Sequence, residues 1–243
     1  MEGKFYTDIH CHILFGVDDG AQTLEESEAM IAAARDEGIR TIYLTPHYSY
    51  GGNDYDLKTM QVHFGQLQRR CGEFYDDMTL YLGNEILYTP SILEALEKGE
   101  ALTLGNSRYV LVEFRTAEDY SSIYEGLKNL VEAGYSPIIA HVERYDALYK
   151  KIDRIEDLIY LGAYIQVNCR SILGSRMNRA TSWANRLLQN RCVHFIADDS
   201  HNMDERGPMM EAAVQKLVQK IGDDDAARIL YFNPQRLLED KYI

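Results

Sequence analysis

The chain has 243 residues, 46% hydrophobic and 26% charged, enough apolar mass for a sizeable core at a length that one α/β barrel reaches. Its net charge of −13 argues against nucleic acid as the main partner and against a bare anionic membrane surface, since both call for a basic face. The four cysteines, Cys11, Cys71, Cys169 and Cys192, are scattered without a CxxC pair, which suits a reducing compartment and neither a disulfide framework nor a structural zinc site.

The first apolar run, Phe5–Ile9, reads as a strand that leads into the pair His10 and His12. Thr23-Leu-Glu-Glu26 is a capping box, and the helix it opens stops at Gly38. A strand over Thr41–Thr45 precedes the loop "YSYGGNDYD", whose Asp56 caps a helix with Met60, Phe64, Leu67 and Cys71 at helical spacing. Strands at Met78–Leu82 and Tyr109–Phe114 follow, then a helix over Ser121–Ala133 with Ile123, Leu127, Leu130 and Val131 on one face. The alternation continues through a strand at Pro137–His141, a helix at Ile152–Leu161, a strand at Tyr164–Asn168 and a helix at Asn178–Asn190. It closes with a strand at Val193–Ala197, a helix at Pro208–Ile221 and a short helix in "NPQRLLED". Seven strands each followed by a helix imply a parallel sheet, closed into a barrel or doubly wound. No Pro/Ser-rich linker divides the chain, so one domain over 1–243 is expected. There is no basic region followed by an apolar leader, and no apolar run of membrane-spanning length, which predicts a cytoplasmic location.

A barrel keeps its chemistry at the C-terminal ends of its strands. Six of the seven expected strand ends carry His, Asp or Glu: His10 and His12, His47 in "TPH", Glu85 in "LGNE", Glu113 in "LVEF", His141 in "IIAH", and Asp199 and His201 in "ADDSH". Only the sixth, ending at Asn168, breaks the run. Strand alternation points His10 and His12 the same way, and likewise Asp199 and His201. Asp19, in the loop after the first pair, reaches the same mouth. Nine N/O ligands exceed what one ion takes, and mixed imidazole and carboxylate donors suit Mn, Fe or Zn.

A lone strand-end histidine is usually a satisfied polar residue, so the joint pattern carries the argument. By the same test His63, inside a helix, and His194, at a strand start, are structural. Asp198 alternates away from Asp199. Asp8 shares the histidine face at a deeper level, where it would orient an imidazole. Cys11 points away.

Clustered divalent ions about 3.5–4 Å apart activate water and clamp an in-line displacement at phosphorus. Guanidinium groups would then hold the phosphoryl oxygens. Arg144 in "HVERY" and Arg206 in "SHNMDERGP" each lie just past a proposed ligand.

The motifs "DIHCHILFGVDDG", "TPHY", "GNEILYTP", "RYVLVEF", "PIIAHVERY", "ADDSHN" and "NPQRLLED" resemble the PHP (polymerase and histidinol phosphatase) superfamily, nearly end to end. Within it, they are similar to the bacterial manganese-dependent protein-tyrosine phosphatases of capsular and exopolysaccharide synthesis. The resemblance implies a distorted (β/α)7 barrel with three metals, Mn²⁺ foremost and Fe or Zn as alternatives. It implies one metal on His10, His12, Glu85 and Asp199, and a second on Glu113 and His141 with Glu85 as bridge. The third would sit on Asp19, His47 and His201. Arg144 and Arg206 match the family's phosphate-binding arginines. The implied substrate is the phosphorylated Tyr-rich tail of an autophosphorylating bacterial tyrosine kinase.

The implied mechanism is attack on phosphorus by a metal-bridging hydroxide, with no phospho-enzyme. Tyrosyl phosphate suits it, because a phenol of pKa about 10 leaves with little acid assistance. A thiol-based route needs Arg six positions after Cys. Those positions hold Val17, Asp77, Ser175 and Asp198 instead. Two departures stand out: Cys11 replaces a common serine, and the loop "YSYGGNDYD" carries no basic residue where substrate would be gripped. The rival readings are a small-molecule phosphatase of the histidinol-phosphate type and a non-catalytic PHP metal-binding module. A nuclease is disfavoured by the acidic balance.

Overall fold

The computed structural model describes residues 5–52, 56–175 and 177–243. Its strands are β1 (Tyr6–Cys11), β2 (Ile39–Leu44), β3 (His47–Tyr48), β4 (Thr79–Leu82), β5 (Glu85–Leu87), β6 (Tyr109–Glu113), β7 (Ser136–Ile139), β8 (Tyr164–Asn168) and β9 (Phe195–Ala197). Pairing is parallel throughout, in the runs β1-β2-β4 and β3-β5-β6-β7-β8-β9. β3 resumes β2 and β5 resumes β4 past short breaks, so nine segments trace seven courses. The first and last courses meet. Cys11 bridges Ser200, the Asp199 N–H donates to His10 O at 2.9 Å, and the His12 N–H donates to Ser200 O at 2.8 Å. This is the expected α/β architecture, a curled parallel sheet forming a distorted (β/α)7 barrel.

The two breaks have local causes. Pro46 has no N–H to continue a ladder. A Cβ on Gly83 would lie 3.1 Å from Leu104 Cα and 3.2 Å from Thr103 O, so glycine suits this close backbone approach. Asn84 spans the gap, donating from Nδ2 to Pro46 O and accepting at Oδ1 from the Leu102 N–H, each at 2.9 Å. His47 and Glu85 follow directly after the two breaks.

Helices α1 (Leu24–Asp36), α2 (Leu57–Phe74), α3 (Ile92–Glu97), α4 (Tyr120–Glu132), α5 (Ile152–Leu161), α6 (Cys169–Leu173), α7 (Arg179–Gln189), α8 (Met210–Ile221), α9 (Asp223–Ala227) and α10 (Asn233–Leu238) surround the sheet. Side chains of Thr23, Asp56, Asp119 and Asn178 cap α1, α2, α4 and α7 by accepting N–H groups of their first turns. In the expected capping box, Glu26 reaches the Gln22 N–H at 2.6 Å, one residue before the cap. The short helices α3 and α6 escaped the sequence reading, since five or six residues cannot display a helical period. None of the helices is long and apolar enough to cross a membrane among the described residues.

Two apolar layers hold the fold. Outward strand residues such as Ile42, Val110, Val112, Ile139 and Ile165 pack under helix residues Ile31, Leu67, Leu127, Leu158 and Leu217. Inward residues Ile9, Tyr43, Tyr109, Leu111, Ile138, Tyr164 and Phe195 fill the barrel. Each fully buried Leu, Ile or Phe contributes about 1.5–3 kcal/mol through burial.

Candidate metal centre

The barrel interior changes chemistry along its axis. On β6, Tyr109, Leu111 and Glu113 share the inner face by strand alternation; the first two are core and the third reaches the mouth. On β9 the column is Phe195, Ala197, then Asp199 just past the strand end. Apolar filling therefore gives way to ligand-type side chains at the C-terminal end of the strands, as in other (β/α) barrels.

All nine residues singled out in the sequence converge there. His10 Nε2 lies 3.2 Å from Glu85 Oε2, 3.6 Å from Asp199 Oδ1 and 3.3 Å from His12 Nε2. His12 Nε2 is 3.3 Å from Glu85 Oε2. His141 Nε2 is 2.7 Å from Glu85 Oε1 and 3.6 Å from Glu113 Oε2. His47 places Nδ1 3.0 Å from Glu85 Oε2 and 3.5 Å from Glu113 Oε1, with Nε2 3.5 Å from Asp19 Oδ1. His201 Nε2 is 3.4 Å from the same Asp19 oxygen. Three subsets bring their ligand atoms within 4.8 Å of one another: His12, Asp19, His47 and His201; His10, His12 and Glu85; His47, Glu85 and Glu113.

Electrostatics shows how strongly this cluster favours cations. Burial pulls the His12 pKa down, yet Asp18 and Glu85 push it up to about 9. His47 rises against its own burial to about 11, held by Glu113 and Glu85. Burial opposes ionisation of Glu85, but the His10, His12 and His141 imidazoles hold it well below the usual carboxylate range. His201 falls to about 4 through burial and the neighbouring His12 charge. The donor set, five imidazoles and four carboxylates with no thiolate, fits divalent Mn, Fe or Zn ions. The buried His141 Nδ1 has no hydrogen-bond partner among the described residues.

The backbone does not follow the alternation that the spacing implied. Asp199 and His201 lie beyond β9, and Asp199 has φ 52°; His141 has φ 33°. Both are non-glycine residues in the left-handed region, which costs about 1–3 kcal/mol and persists where neighbours hold it. β1 is also irregular between Asp8 and Cys11. In consequence Asp8 does not orient an imidazole as expected. Its Oδ1 accepts the His10 N–H at 3.3 Å and the Asp198 N–H at 3.2 Å.

Asp18, overlooked in the sequence, orients an imidazole instead. Its Oδ2 lies 2.7 Å from His12 Nδ1 and accepts the His47 N–H at 3.1 Å, while Oδ1 accepts the Gly20 N–H at 2.9 Å. Gly20 is required by contact, because a Cβ there would sit 2.0 Å from His12 O. The sixth course ends without a His, Asp or Glu, yet Gln166 and Asn168 on β8 touch His10, the His141 backbone and Asp199. Both amides lie at the same period-2 spacing as the ligand pairs, so strand alternation places them on the inner face.

The residues set aside behave as structural groups. His63 Nδ1 lies 2.9 Å from Phe15 O, with the two rings stacked. His194 Nδ1 accepts the Ile165 N–H at 3.1 Å. Asp198 accepts the Met209 N–H. The Cys11 thiol points at Tyr43 O.

Arg144 and Arg206 meet at the rim of the cluster. Arg144 Nη2 donates to Asp199 Oδ2 at 2.5 Å, and Arg206 Nη2 donates to Asp199 Oδ1 at 3.1 Å. Two guanidinium groups thus bracket one carboxylate, each holding a separate oxygen. Their side chains remain 40% and 34% exposed, so further N–H donors face solvent. Of the loop "YSYGGNDYD", residues 53–55 lie outside the described residues.

A family model described as "Capsular polysaccharide synthesis, CpsB/CapC" matches residues 6–239. The chain is 37% identical over 241 residues to the tyrosine-protein phosphatase CpsB of Streptococcus pneumoniae, covering 97% of this chain and 99% of that one. A crystal structure described as belonging to YwqE from Bacillus subtilis and CpsB from Streptococcus pneumoniae, metal-dependent tyrosine phosphatases, superposes with a TM-score of 0.89 at 30% identity. It covers 98% of this chain and 96% of that one. Histidinol phosphate phosphatase from Lactococcus lactis shares the fold alone, with a TM-score of 0.59 at 14% identity over 89% of this chain and 94% of that one.

Proposed function

The chain belongs to the CpsB/CapC family of capsular polysaccharide synthesis, and on that footing we propose that it is a metal-dependent protein-tyrosine phosphatase acting on a phosphoprotein. The observation that carries this reading is the pair Arg144 and Arg206, bracketing one carboxylate at the rim of the imidazole and carboxylate cluster.

His10, His12, Glu85 and Asp199 would hold one ion, and Glu113 and His141 a second that shares Glu85. Asp19, His47 and His201 would hold a third. Mn²⁺ is the proposed ion at all three positions. Bound divalent ions supply Lewis acidity, lowering the pKa of water and offsetting phosphoryl charge. The protein does the rest. Arg144 and Arg206 bind two phosphoryl oxygens in the manner they bind the two Asp199 oxygens, because a guanidinium fork matches tetrahedral and planar oxyanions alike. The phenolate leaves with little acid assistance, since its conjugate acid has a pKa of about 10. No cysteine serves as nucleophile: burial pushes the Cys11 and Cys169 thiols well above their ordinary range and raises Cys71 and Cys192 as well.

We read the substrate as the autophosphorylated Tyr-rich tail of a bacterial tyrosine kinase, and residues 1–243 as one catalytic domain. An open rim with half-exposed arginines suits a protein-borne phosphate better than an enclosed pocket for histidinol phosphate.

The test is phosphate release by metal-stripped protein, with and without Mn²⁺, from a phosphotyrosine peptide and from histidinol phosphate. Mn²⁺-dependent release from the peptide is expected, lost in His10→Ala and reduced about 10²–10³-fold in Arg144→Ala. Turnover of histidinol phosphate alone would move the function to small-molecule metabolism. No turnover of either would leave a binding module.

A further inference from the structure

β8 supplies no candidate ligand, yet two of its inward side chains are buried polar groups: Gln166 at 0% and Asn168 at 4% exposure. Both are amides two residues apart, on one face of the strand. Their hydrogen bonds fix each other's orientation. Gln166 Oε1 lies 2.7 Å from the His141 backbone N. A backbone N–H only donates, so the atom facing it is the amide oxygen and cannot be the nitrogen. The other end of Gln166 is therefore the NH₂, which donates to Asn168 Oδ1 at 2.8 Å. That leaves the Asn168 NH₂ to donate to Asp199 Oδ2 at 2.7 Å. Glu143 closes the chain by accepting the Asn168 N–H at 3.0 Å.

The orientation has a chemical consequence at His10, whose Nδ1 lies 3.3 Å from the same Gln166 Oε1. An amide oxygen only accepts, so His10 carries its proton on Nδ1 and presents the Nε2 lone pair to the cluster. Gln166 Oε1 also holds the His141 N–H while that residue sits at φ 33°, the conformation that brings its ring onto Glu85.

We propose that Gln166 and Asn168 are the positioning residues of the centre: Gln166 fixes the tautomer of His10 and the backbone of His141, and Asn168 fixes one oxygen of Asp199. This rests on the reading that His10, His141 and Asp199 hold metal. The silent course of the barrel thus sets the presentation of three ligands, two from the flanking courses and His10 from β1 beyond β9, the role that partners behind metal ligands play generally.

The test combines Mn²⁺ titration of metal-stripped protein by calorimetry with imidazole ¹⁵N NMR of Zn²⁺-loaded protein, on Gln166→Met, Gln166→Glu, Asn168→Ala and His10→Ala. Gln166→Met is expected to weaken Mn²⁺ binding about 10–100-fold and to abolish the slowly exchanging Nδ1–H of His10. Gln166→Glu keeps both acceptor functions, so the His10 Nδ1–H signal should persist and part of the affinity return. Asn168→Ala should weaken Mn²⁺ with the His10 signal unchanged. Wild-type affinity in Gln166→Met and Asn168→Ala would overturn the proposal. If Gln166→Met fails to fold, unchanged affinity in Asn168→Ala with a lost His10 signal in Gln166→Glu overturns it equally. Unaltered Mn²⁺ binding by His10→Ala would instead sink the ligand reading beneath it.

Discussion

Histidines in this chain are driven in opposite directions by what surrounds them. His12 and His47 rise to about 9 and about 11 because carboxylates face them, while His194 falls to about 4 through burial and the nearby Arg228 charge. His194 lies away from the cluster, so its titration can be isolated. Its folded pKa lies below the unfolded 6.5, so the unfolded chain binds the proton first as pH falls. The neutral imidazole thus favours the folded state fully above pH 6.5, and that contribution is lost between pH 6.5 and about 4. Over that window wild type should lose stability relative to His194→Gln by up to about 1.4 kcal/mol per pH unit, measured by urea unfolding at a pH series. Parallel pH profiles for the two proteins would show that His194 is not buried neutral.

At the scale of elements, the decisive devices are the interruptions. β2 stops before Pro46 and β4 before Asn84, and the resumed segments begin with His47 and Glu85. Asn84 ties Pro46 O to the Leu102 N–H across both breaks. Removing it leaves a buried carbonyl and a part-buried N–H without these partners, at about 1–3 kcal/mol each for a lost hydrogen bond away from water. Asn84→Ala is therefore expected to lower unfolding stability by about 2–4 kcal/mol. It should also weaken Mn²⁺ binding in the same preparation, because His47 and Glu85 lose their shared support. Loss of stability with intact metal affinity would mean that the ligands are held from elsewhere.

For the whole molecule, nine ionisable side chains from six of the seven courses meet at one end of the barrel. Joining them by bound ions links those courses in the folded state only. A ligand at about 100 times its Kd adds about 2.7 kcal/mol, and a protein of this length shifts by about 2–4 °C in Tm per kcal/mol. Chelator treatment should lower Tm by about 5–10 °C, and Mn²⁺ in excess of chelator should restore it. A Tm indifferent to chelator and to Mn²⁺ would argue that the cluster is neutralised by its own protons alone.

Much of this architecture is written locally. The caps Thr23 and Asp56, the alternation of strand and helix, and the placing of His, Asp and Glu at strand ends depend on neighbours in sequence. Those features were open to reading from the chain itself, together with the family resemblance in "HVERY" and "VDDG". What the sequence could not show is where alternation fails. The left-handed turns at His141 and Asp199 and the irregularity in β1 lie where the strand ends meet. Closure also decides which polar groups become partners. Asp18 reaches His12, and Gln166 and Asn168 reach His10 and Asp199, 156 and 31 residues apart, only once β8 lies between β7 and β9. Ligand chemistry is a property of side-chain type and period. The orientation of those ligands depends on hydrogen bonds between distant strands, and only the closed sheet brings those strands together.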